Sequence, residues 1–573
     1  MEKRWHLRQA DEGAVQRLCE HFKISPIIAR ILVHRGLQEV EQAGRFLSSS
    51  LRSDLPSPFL MAGMDQAAER LIEALKANEL VCVWGDYDVD GTTGAAVLVT
   101  FLREVGGHPI YYIPHRINEG YGLNAEGLTQ LAEKGVRLVV TVDCGISNRR
   151  EVEFARRMGV DIIIVDHHQP PADLPQARAI LNPHRVDCQF PDKGPSAVGV
   201  AFYLIIGLRA RLRELGWFTG KEEPDLRRYL DIVTLGTVAD LVPLTGVNRV
   251  LVRRGLEVLA TSQRPGIVAL KQVAAINGEI GAGQVGFQLG PRINAAGRVD
   301  AALKVVEMLT TESHEVAQRI ARELDENNRE RQVTEARVLE EALRWIERSE
   351  GGVDHRYSIV LGADGWHPGV LGIVASRVLE RFHRPTVVVG FDNGEGKGSA
   401  RSIRGFHLVQ ALSQCADCLE KFGGHEYAGG LSIKQEKFSS FAERFEEVAR
   451  GLLTAEDLKP VLEVDAELKF SEIGLDLARR IEALHPFGIG NPEPIFMSRA
   501  VEIADRKDFN GGARFRLRQE GRVLGGVAFR LGNDVPLAPE TKVDLLYRVC
   551  ENEWNGTSSV ELRVLDARVA GQA

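Results

Sequence analysis

The sequence predicts an α/β protein: two α/β lobes joined by a long helix, with a small β-barrel at the C-terminal end. Three observations carry this. Strand and helix patterns alternate from Leu80 to Val165, as in a doubly wound sheet. Between Ser313 and Ile346 the chain is dense in Glu and Arg with apolar residues at helical spacing, the pattern of one long, largely exposed helix. Five short strand patterns separated by turn signals follow Pro494, as in a small barrel.

Taken in order, residues 1–55 hold two helical patterns, Gln16 to Phe22 and Ile27 to Arg35, and read as a cap on the first domain. The first α/β domain is placed at 56–310. Apolar residues recur at helical spacing from Met64 to Lys76, ahead of a strand at Leu80 to Trp84. Thr92 to Val105 reads as a helix of small residues able to lie close to a sheet. Pro109 to Ile113, Ala125 to Lys134, Val136 to Val142, Arg149 to Met158 and Val160 to Val165 continue the alternation. The last is almost unbroken Ile and Val, the signature of a strand buried on both faces. Helical patterns at Ala197 to Gly216 and Asp225 to Ala239 follow, the second stopped by Pro243 just beyond Asp240. Residues 281–298 are glycine-rich.

The connecting helix is placed at 311–350 and a second α/β domain at 351–455, with a strand at Tyr357 to Leu361, a helix at Val370 to Phe382 and a strand at Thr386 to Val389. Residues 456–573 contain a glycine- and proline-rich hinge from Pro486 to Pro494. Strands are expected at Val501 to Ala504, Ala513 to Gln519, Arg522 to Phe529, Val543 to Cys550 and Ser558 to Leu565, with turns at Asn510-Gly511-Gly512 and Asn555-Gly556.

A chain of 573 residues exceeds a single core. The seven cysteines are scattered and odd in number, which argues against a disulfide framework, and Cys415-x-x-Cys418 has no second pair to complete a zinc site. No apolar run is long enough for a membrane span, and the charged N-terminus has no apolar signal region, so a cytoplasmic protein is expected. The net charge of −8 excludes a protein that coats nucleic acid by bulk charge; any such contact must be local.

The chemistry gathers where strands end. Leu80 to Trp84 runs into Gly85-Asp86-Tyr87-Asp88-Val89-Asp90-Gly91, Val136 to Val142 into Asp143, and Val160 to Val165 into Asp166-His167-His168. Ligands of open α/β sheets collect outside the carboxyl ends of the strands. Several ionisable groups crowded there are costly unless they hold charge. A single strand-end Asp is usually a cap or turn former, and alternating Asp residues also occur in calcium loops, but the EF-hand spacing fails for want of its Glu. Mixed Asp and His ligands favour Mn²⁺, Zn²⁺ or Fe²⁺ over an all-oxygen site. So many carboxylates suit two ions roughly 3.5–4 Å apart that share a ligand and activate water against a phosphodiester.

Asp88-x-Asp90, Asp143 and the Asp166-His167-His168 triplet together resemble the DHH phosphoesterase family. The likeness extends over nearly the full length, through Ile113-Pro114-His115-Arg116, Thr237-Val238-Ala239-Asp240, Gly290 to Arg298 and Gly424-His425. It is strongest to the family's branch of exonucleases specific for single-stranded DNA. The resemblance implies a DHH domain, a DHH-associated domain and an OB-like barrel. It implies metal ligation by Asp86, Asp88, Asp90, Asp143, His167 and Asp240, with Asp143 shared between ions, His168 towards the phosphate and Asp166 orienting the imidazoles. Arg116, Ser399 and Arg401 fall in segments that resemble a pocket for a 5′-terminal phosphate, and Arg298, Arg377 and His425 are candidates for phosphates farther along the strand. Two divalent cations are implied, Mn²⁺ preferred and Mg²⁺ the alternative. The implied activity is 5′-to-3′ release of mononucleotides in repair and recombination by a monomer, with single-strand-binding protein and a RecQ-type helicase as partners. The rival readings are a DHH phosphodiesterase acting on short oligonucleotides or cyclic dinucleotides, which lacks such a barrel, and a catalytically silent replication scaffold.

Overall fold

Five parallel strands organise the first α/β domain: β1 (Leu80–Gly85), β2 (His108–Tyr112), β3 (Leu138–Val142), β4 (Asp161–Val165) and β5 (Ala179–Leu181), in the order β2-β1-β3-β4-β5. They belong to a computed structural model that describes residues 3–115, 119–296, 302–348, 352, 353, 355–529, 538–554 and 556–571. The chain enters at β1, moves outward to β2 and returns to β3 on the other side. That reversal opens a crevice at the carboxyl ends of β1 and β3. β3 is buried throughout and β4 at all but its first residue, which is why these strands carry Leu, Ile and Val on both faces.

Helices α1 (Val89–Glu104) and α2 (Ala197–Glu214) pack on one face of this sheet, α3 (Leu230–Ala239) packs on both of them, and α4 (Gly246–Thr261) packs on α3. α1 is buried along most of its length because its first turns are Gly, Thr and Ala. Gly91 is required there: a Cβ would stand 2.5 Å from the backbone N of Asp86. α1 starts three residues before the apolar pattern does, because Asp88 caps it by accepting from Gly91 N at 2.9 Å. The glycine-rich 281–298 stretch is helical as far as it is described. A π-helical turn at Val285–Leu289 lies between Ala282–Gln284 and Gly290–Ala296, held by buried Val285, Leu289 and Ile293.

The chain divides into two units, one of Leu7–Asp325 with Val464–Ala573, the other of Met1–His6 with Glu326–Glu463. The division falls inside the single helix His314–Arg348. Its apolar stripe contributes Ile320 and Leu324 to the first core, and Val338, Ala342 and Ile346 to the second.

In the first unit, Phe496–Phe509, Gly512–Gln519, Arg522–Phe529, Thr557–Val569 and Lys542–Trp554 pair in that order, and the last pairs back with the first to close a barrel. Helices Glu12–Phe22, Pro26–His34 and Val40–Ser48 form the cap. Its apolar face joins the barrel core instead of the first α/β domain, through Leu18, Ile31, Leu32 and Phe46. α4 reaches the cap through Arg249, Arg253 and Arg254, which donate to the carbonyls of Phe46, Leu47 and Ser49.

The second unit has a mixed sheet in the order Lys421–Gly424, Ala428–Lys434, Glu395–Arg401, Thr386–Asp392, Ile359–Asp364, covered by helices Pro368–Phe382 and Phe438–Leu452. The cysteines are free, and Cys415 and Cys418 are buried about a 3₁₀ turn. No helix among the described residues is long and apolar enough to cross a membrane.

Candidate metal centre

Strand register builds the acidic rim. Gly85, Val142, Val165 and Leu181 stand side by side at the ends of β1, β3, β4 and β5. The next residue on each strand is therefore Asp86, Asp143, Asp166 and Asn182, and the row is kept by Asp86 N to Val142 O, Asp143 N to Val165 O and Asp166 N to Leu181 O. Asp143 adopts a left-handed conformation (φ 63°), a strained position that Asp tolerates better than most residues.

These groups converge. His167 Nε2 lies 3.2 Å from Asp143 Oδ1, 3.6 Å from Asp240 Oδ2 and 3.9 Å from Asp90 Oδ2. Ligand atoms of Asp143, His167 and His168, of Asp90, His167 and Asp240, and of Asp86, Asp88 and Asp143 lie within 4.8 Å of one another in three overlapping groups. Asp240 arrives as the C-cap of α3, placed by the turn through Leu241 (φ 61°) to Pro243. Asp90 is fully enclosed, and its two oxygens accept from Ala197 N (2.6 Å) and Val198 N (2.8 Å) at the start of α2. Asp166 Oδ1 accepts from His167 N (2.8 Å) and His168 N (3.1 Å) and lies 2.8 Å from His168 Nδ1, while its Oδ2 accepts from Ile146 N.

The electrostatics fit a divalent cation. Asp143 Oδ1, His167 Nε2 and Asp240 Oδ2 are buried, have no hydrogen-bond partner among the described residues and face one another. Buried polar atoms left in this state are expensive unless something binds them. Burial, then the charges of Asp90 and Asp88, push the Asp240 carboxyl up to about 9. Burial and Asp88 push Asp90 up to about 7, and Asp143 is raised well above the carboxylate range by burial and the surrounding acids. Burial, then His168, lowers His167 to about 4, so its imidazole is neutral at pH 7, the form that ligates metal. The hydrogen bond that Asp166 accepts from its Nδ1 raises His168.

A stability prediction follows. The folded values of Asp240 and Asp90 lie above the ordinary 3.8, so between about pH 4 and about pH 9 the folded apo protein holds protons that the unfolded chain does not. Apo stability is expected to fall as pH rises through that window, and saturating Mn²⁺ to flatten the slope. Thermal unfolding with EDTA or Mn²⁺ across the window measures both.

Two residues of this site were missed in the sequence. Asn182 donates Nδ2 to His168 O (2.8 Å) and accepts from His184 N (2.8 Å), which holds the loop after β4. It obeys the same strand-end rule as the aspartates but carries no charge to draw notice. Tyr121 donates its hydroxyl to Asp143 O (2.7 Å) and sets its ring edge-on to His168; its only signal was its place in Gly120-Tyr121-Gly122. Removing that hydroxyl in Tyr121→Phe is expected to lower turnover about tenfold and raise the Mn²⁺ concentration needed, with thermal stability kept. Kinetics at several Mn²⁺ concentrations test this.

Ser399 and Arg401 share one face of the strand Glu395–Arg401, and Arg401 Nη1 lies 3.1 Å from Ser399 Oγ. Gly372 faces them: a Cβ there would stand 2.9 Å from Arg401 Nη2. Burial lowers the Arg401 guanidinium, and no carboxylate pairs with it among the described residues. Arg377 instead faces Glu335 and Glu380 at 3.6 and 3.5 Å, and His425 is exposed at the turn between Gly424 and Ala428. Neither has a hydrogen bond or ion pair with Ser399 or Arg401 among the described residues. Arg116 and Arg298 lie outside the described residues.

A doubly wound parallel sheet with Asp and His ligand atoms gathered at its switch point marks a metal-dependent hydrolase. Residues 80–237 match the DHH family, N-terminal domain, 356–451 the DHHA1 domain and 464–566 the RecJ OB domain. The single-stranded-DNA-specific exonuclease RecJ of Dickeya dadantii is 40% identical, over 94% of this chain and 95% of its own length, and that of Bacillus subtilis 37%, over 99% and 71%. The crystal structure of RecJ in complex with Mn²⁺ from Thermus thermophilus superposes with a TM-score of 0.83 at 31% identity, covering 99% of this chain and 79% of that one. The chain belongs to the RecJ family.

Proposed function

We infer that this protein is a single-stranded-DNA-specific exonuclease that hydrolyses phosphodiesters with divalent cations, proceeds 5′ to 3′ and releases 5′-mononucleotides in repair and recombination. The observation that carries the reading is the unbonded Asp143 Oδ1 and His167 Nε2, 3.2 Å apart amid four further carboxylates, in a chain 40% identical to a RecJ. Asp86, Asp88 and Asp143 would hold one cation and Asp90, His167 and Asp240 a second, with Asp143 shared. When bound, the cations supply Lewis acidity, bringing the pKa of water towards neutrality and stabilising charge on the phosphoryl oxygens. Imidazole ligation favours Mn²⁺ over Mg²⁺.

The protein's own groups do the positioning. Asp166 fixes the backbone of both histidines and the His168 ring. With its Nδ1 committed to Asp166, His168 presents Nε2 for a hydrogen bond to the phosphate. Ser399 and Arg401 hold the 5′-terminal phosphate, which Gly372 admits. Arg377 and His425 serve phosphates farther along the strand.

The barrel grips single strands by charge and stacking. Arg514, Arg516 and Arg518 alternate on the exposed face of Gly512–Gln519. Arg518 pairs with Glu502, but Arg514 and Arg516 have no ion pair among the described residues. Phe509 (39% exposed) and Phe529 (55%) meet edge to face at 5.8 Å, whereas Phe515 lies in the core. Arg514→Glu with Arg516→Glu is expected to weaken single-strand binding and reduce its log–log salt dependence by about two. Fluorescence anisotropy at several salt concentrations measures both.

Single-strand-binding protein and a RecQ-type helicase are the partners the family suggests, and the protein acts as a monomer. The function is tested by incubating end-labelled single- and double-stranded DNA, with and without a 5′-phosphate, in Mn²⁺ or Mg²⁺. Mononucleotides released from the 5′ end of single strands alone support the reading. Equal cleavage of dinucleotides and long DNA, or none, overturns it.

A further inference from the structure

We propose that a cavity bounded by the cap and α4 binds an organic phosphate of mononucleotide size, at a site separate from the metal centre. The cavity measures about 670 Å³ and includes none of the residues assigned to metal or to the 5′-phosphate. That is the size range of pockets that enclose small organic ligands.

Of its four cations, Arg35 pairs with Asp465 and Arg45 with Glu41, while Arg249 and Lys193 have no ion pair among the described residues. Arg249 is 1% exposed, with its guanidinium lying 3.6 Å from the centre of the Phe46 ring. Nε donates to Phe46 O (3.0 Å) and Nη1 to Leu484 O (2.9 Å), but Nη2 is buried with no partner among the described residues. Lys193, which is exposed, donates Nζ to the Cys188 carbonyl at 3.1 Å. Neither cation has a carboxylate partner among the described residues.

The two acids of the cavity take their hydrogen bonds from neutral local donors and not from Arg249 or Lys193. Asp192 accepts from Gly194 N (2.9 Å) and Val247 N (2.6 Å). Asp54 accepts from Ser50 N (2.6 Å) and the hydroxyls of Ser48 and Ser53. A buried cation without a counter-charge is costly, and burial holds the Arg249 guanidinium down at about 9. An anion seated beside Arg249 and Lys193 relieves that cost. A bare inorganic ion would leave the rest of the cavity unfilled. Leu37, Leu55, Pro56 and Val250 line it with apolar surface that suits the flat body of a base.

This goes beyond the exonuclease reading and does not depend on it. The probe is 5-bromo-2′-deoxyuridine 5′-monophosphate, soaked into crystals of the full chain and titrated by calorimetry in EDTA. The expected result is a bromine peak in this cavity. Binding should weaken about tenfold or more in Lys193→Glu and be lost in Leu55→Trp, which fills the space. Single-strand hydrolysis, measured on the same preparations, should be unchanged in both variants and reports separately on the exonuclease reading. Bromine at the metal centre alone, no bromine, or affinity unchanged in both variants would overturn the proposal.

Discussion

Asp143→Asn is expected to reduce hydrolysis of single-stranded DNA by about 10³-fold or more, a loss of at least ~4 kcal/mol of transition-state stabilisation. Asp143 is the residue on which the site converges: it ends β3 between Asp86 and Asp166, faces both histidines and belongs to two of the three ligand groups. Asn keeps the size and, like Asp, accepts the left-handed backbone, so the strand end is preserved. It removes a carboxylate that burial and the surrounding acids hold well above its ordinary range. The apo variant should therefore unfold at the same temperature as the parent or a higher one while losing activity. Turnover on a 5′-labelled oligonucleotide and thermal unfolding in EDTA, taken together, separate a lost ligand from a lost fold. Near-parent turnover in a folded variant would remove Asp143 from the centre.

Arg401→Ala should lower kcat/KM about 10²-fold on DNA bearing a 5′-phosphate and leave a 5′-hydroxyl substrate little changed. The guanidinium is half-buried beside Ser399 Oγ and Gly372 with no carboxylate to neutralise it among the described residues, the setting of the phosphate contact proposed for it. Losing one partner of a desolvated charge pair costs ~2–5 kcal/mol, and the lower half of that range is the effect named here. Arg401→Lys should recover part of it, because an ammonium restores charge without the bidentate fork. Equal losses on both substrates would show that Arg401 supports the sheet and not the phosphate.

The gathering of acids and imidazoles at one rim was largely legible in the sequence, for a physical reason. A parallel strand buried on both faces must be almost wholly apolar, so an acid at its end stands out, and register brings successive strand ends to one rim. Asp86, Asp143 and Asp166 were readable in this way, and His167 and His168 through their adjacency. Tyr121 and Asn182 were not, because each acts through one hydrogen bond to a backbone carbonyl distant in sequence. The start of α1 was read late because its first turn is Val89-Asp90-Gly91, where capping outweighs apolar pattern.

Phe496–Phe509, Lys542–Trp554 and Thr557–Val569 were read short for a related reason, while Arg522–Phe529 has the expected bounds. Phe496–Phe509 ends in Asp505 to Phe509, which are exposed and mostly charged, and its ladder there is held by backbone pairing with Gly512–Gln519, not by buried side chains. The cap's placement against the barrel joins residues before 50 to residues after 460, a contact that no local pattern reports. Among the residues proposed to hold substrate, Ser399 and Arg401 lie on one strand face at a spacing of two, whereas the approach of Arg377 to Glu335, 42 residues away, could not be read from its neighbours.

The most direct test of the central claim is anomalous diffraction from a crystal of this protein soaked in Mn²⁺. Manganese density within bonding distance of both Asp143 Oδ1 and His167 Nε2, with a second peak on the Asp86–Asp88 side of Asp143, is the expected result. A fully soaked crystal with no manganese at Asp143 and His167, or with those side chains turned away from each other, would contradict it.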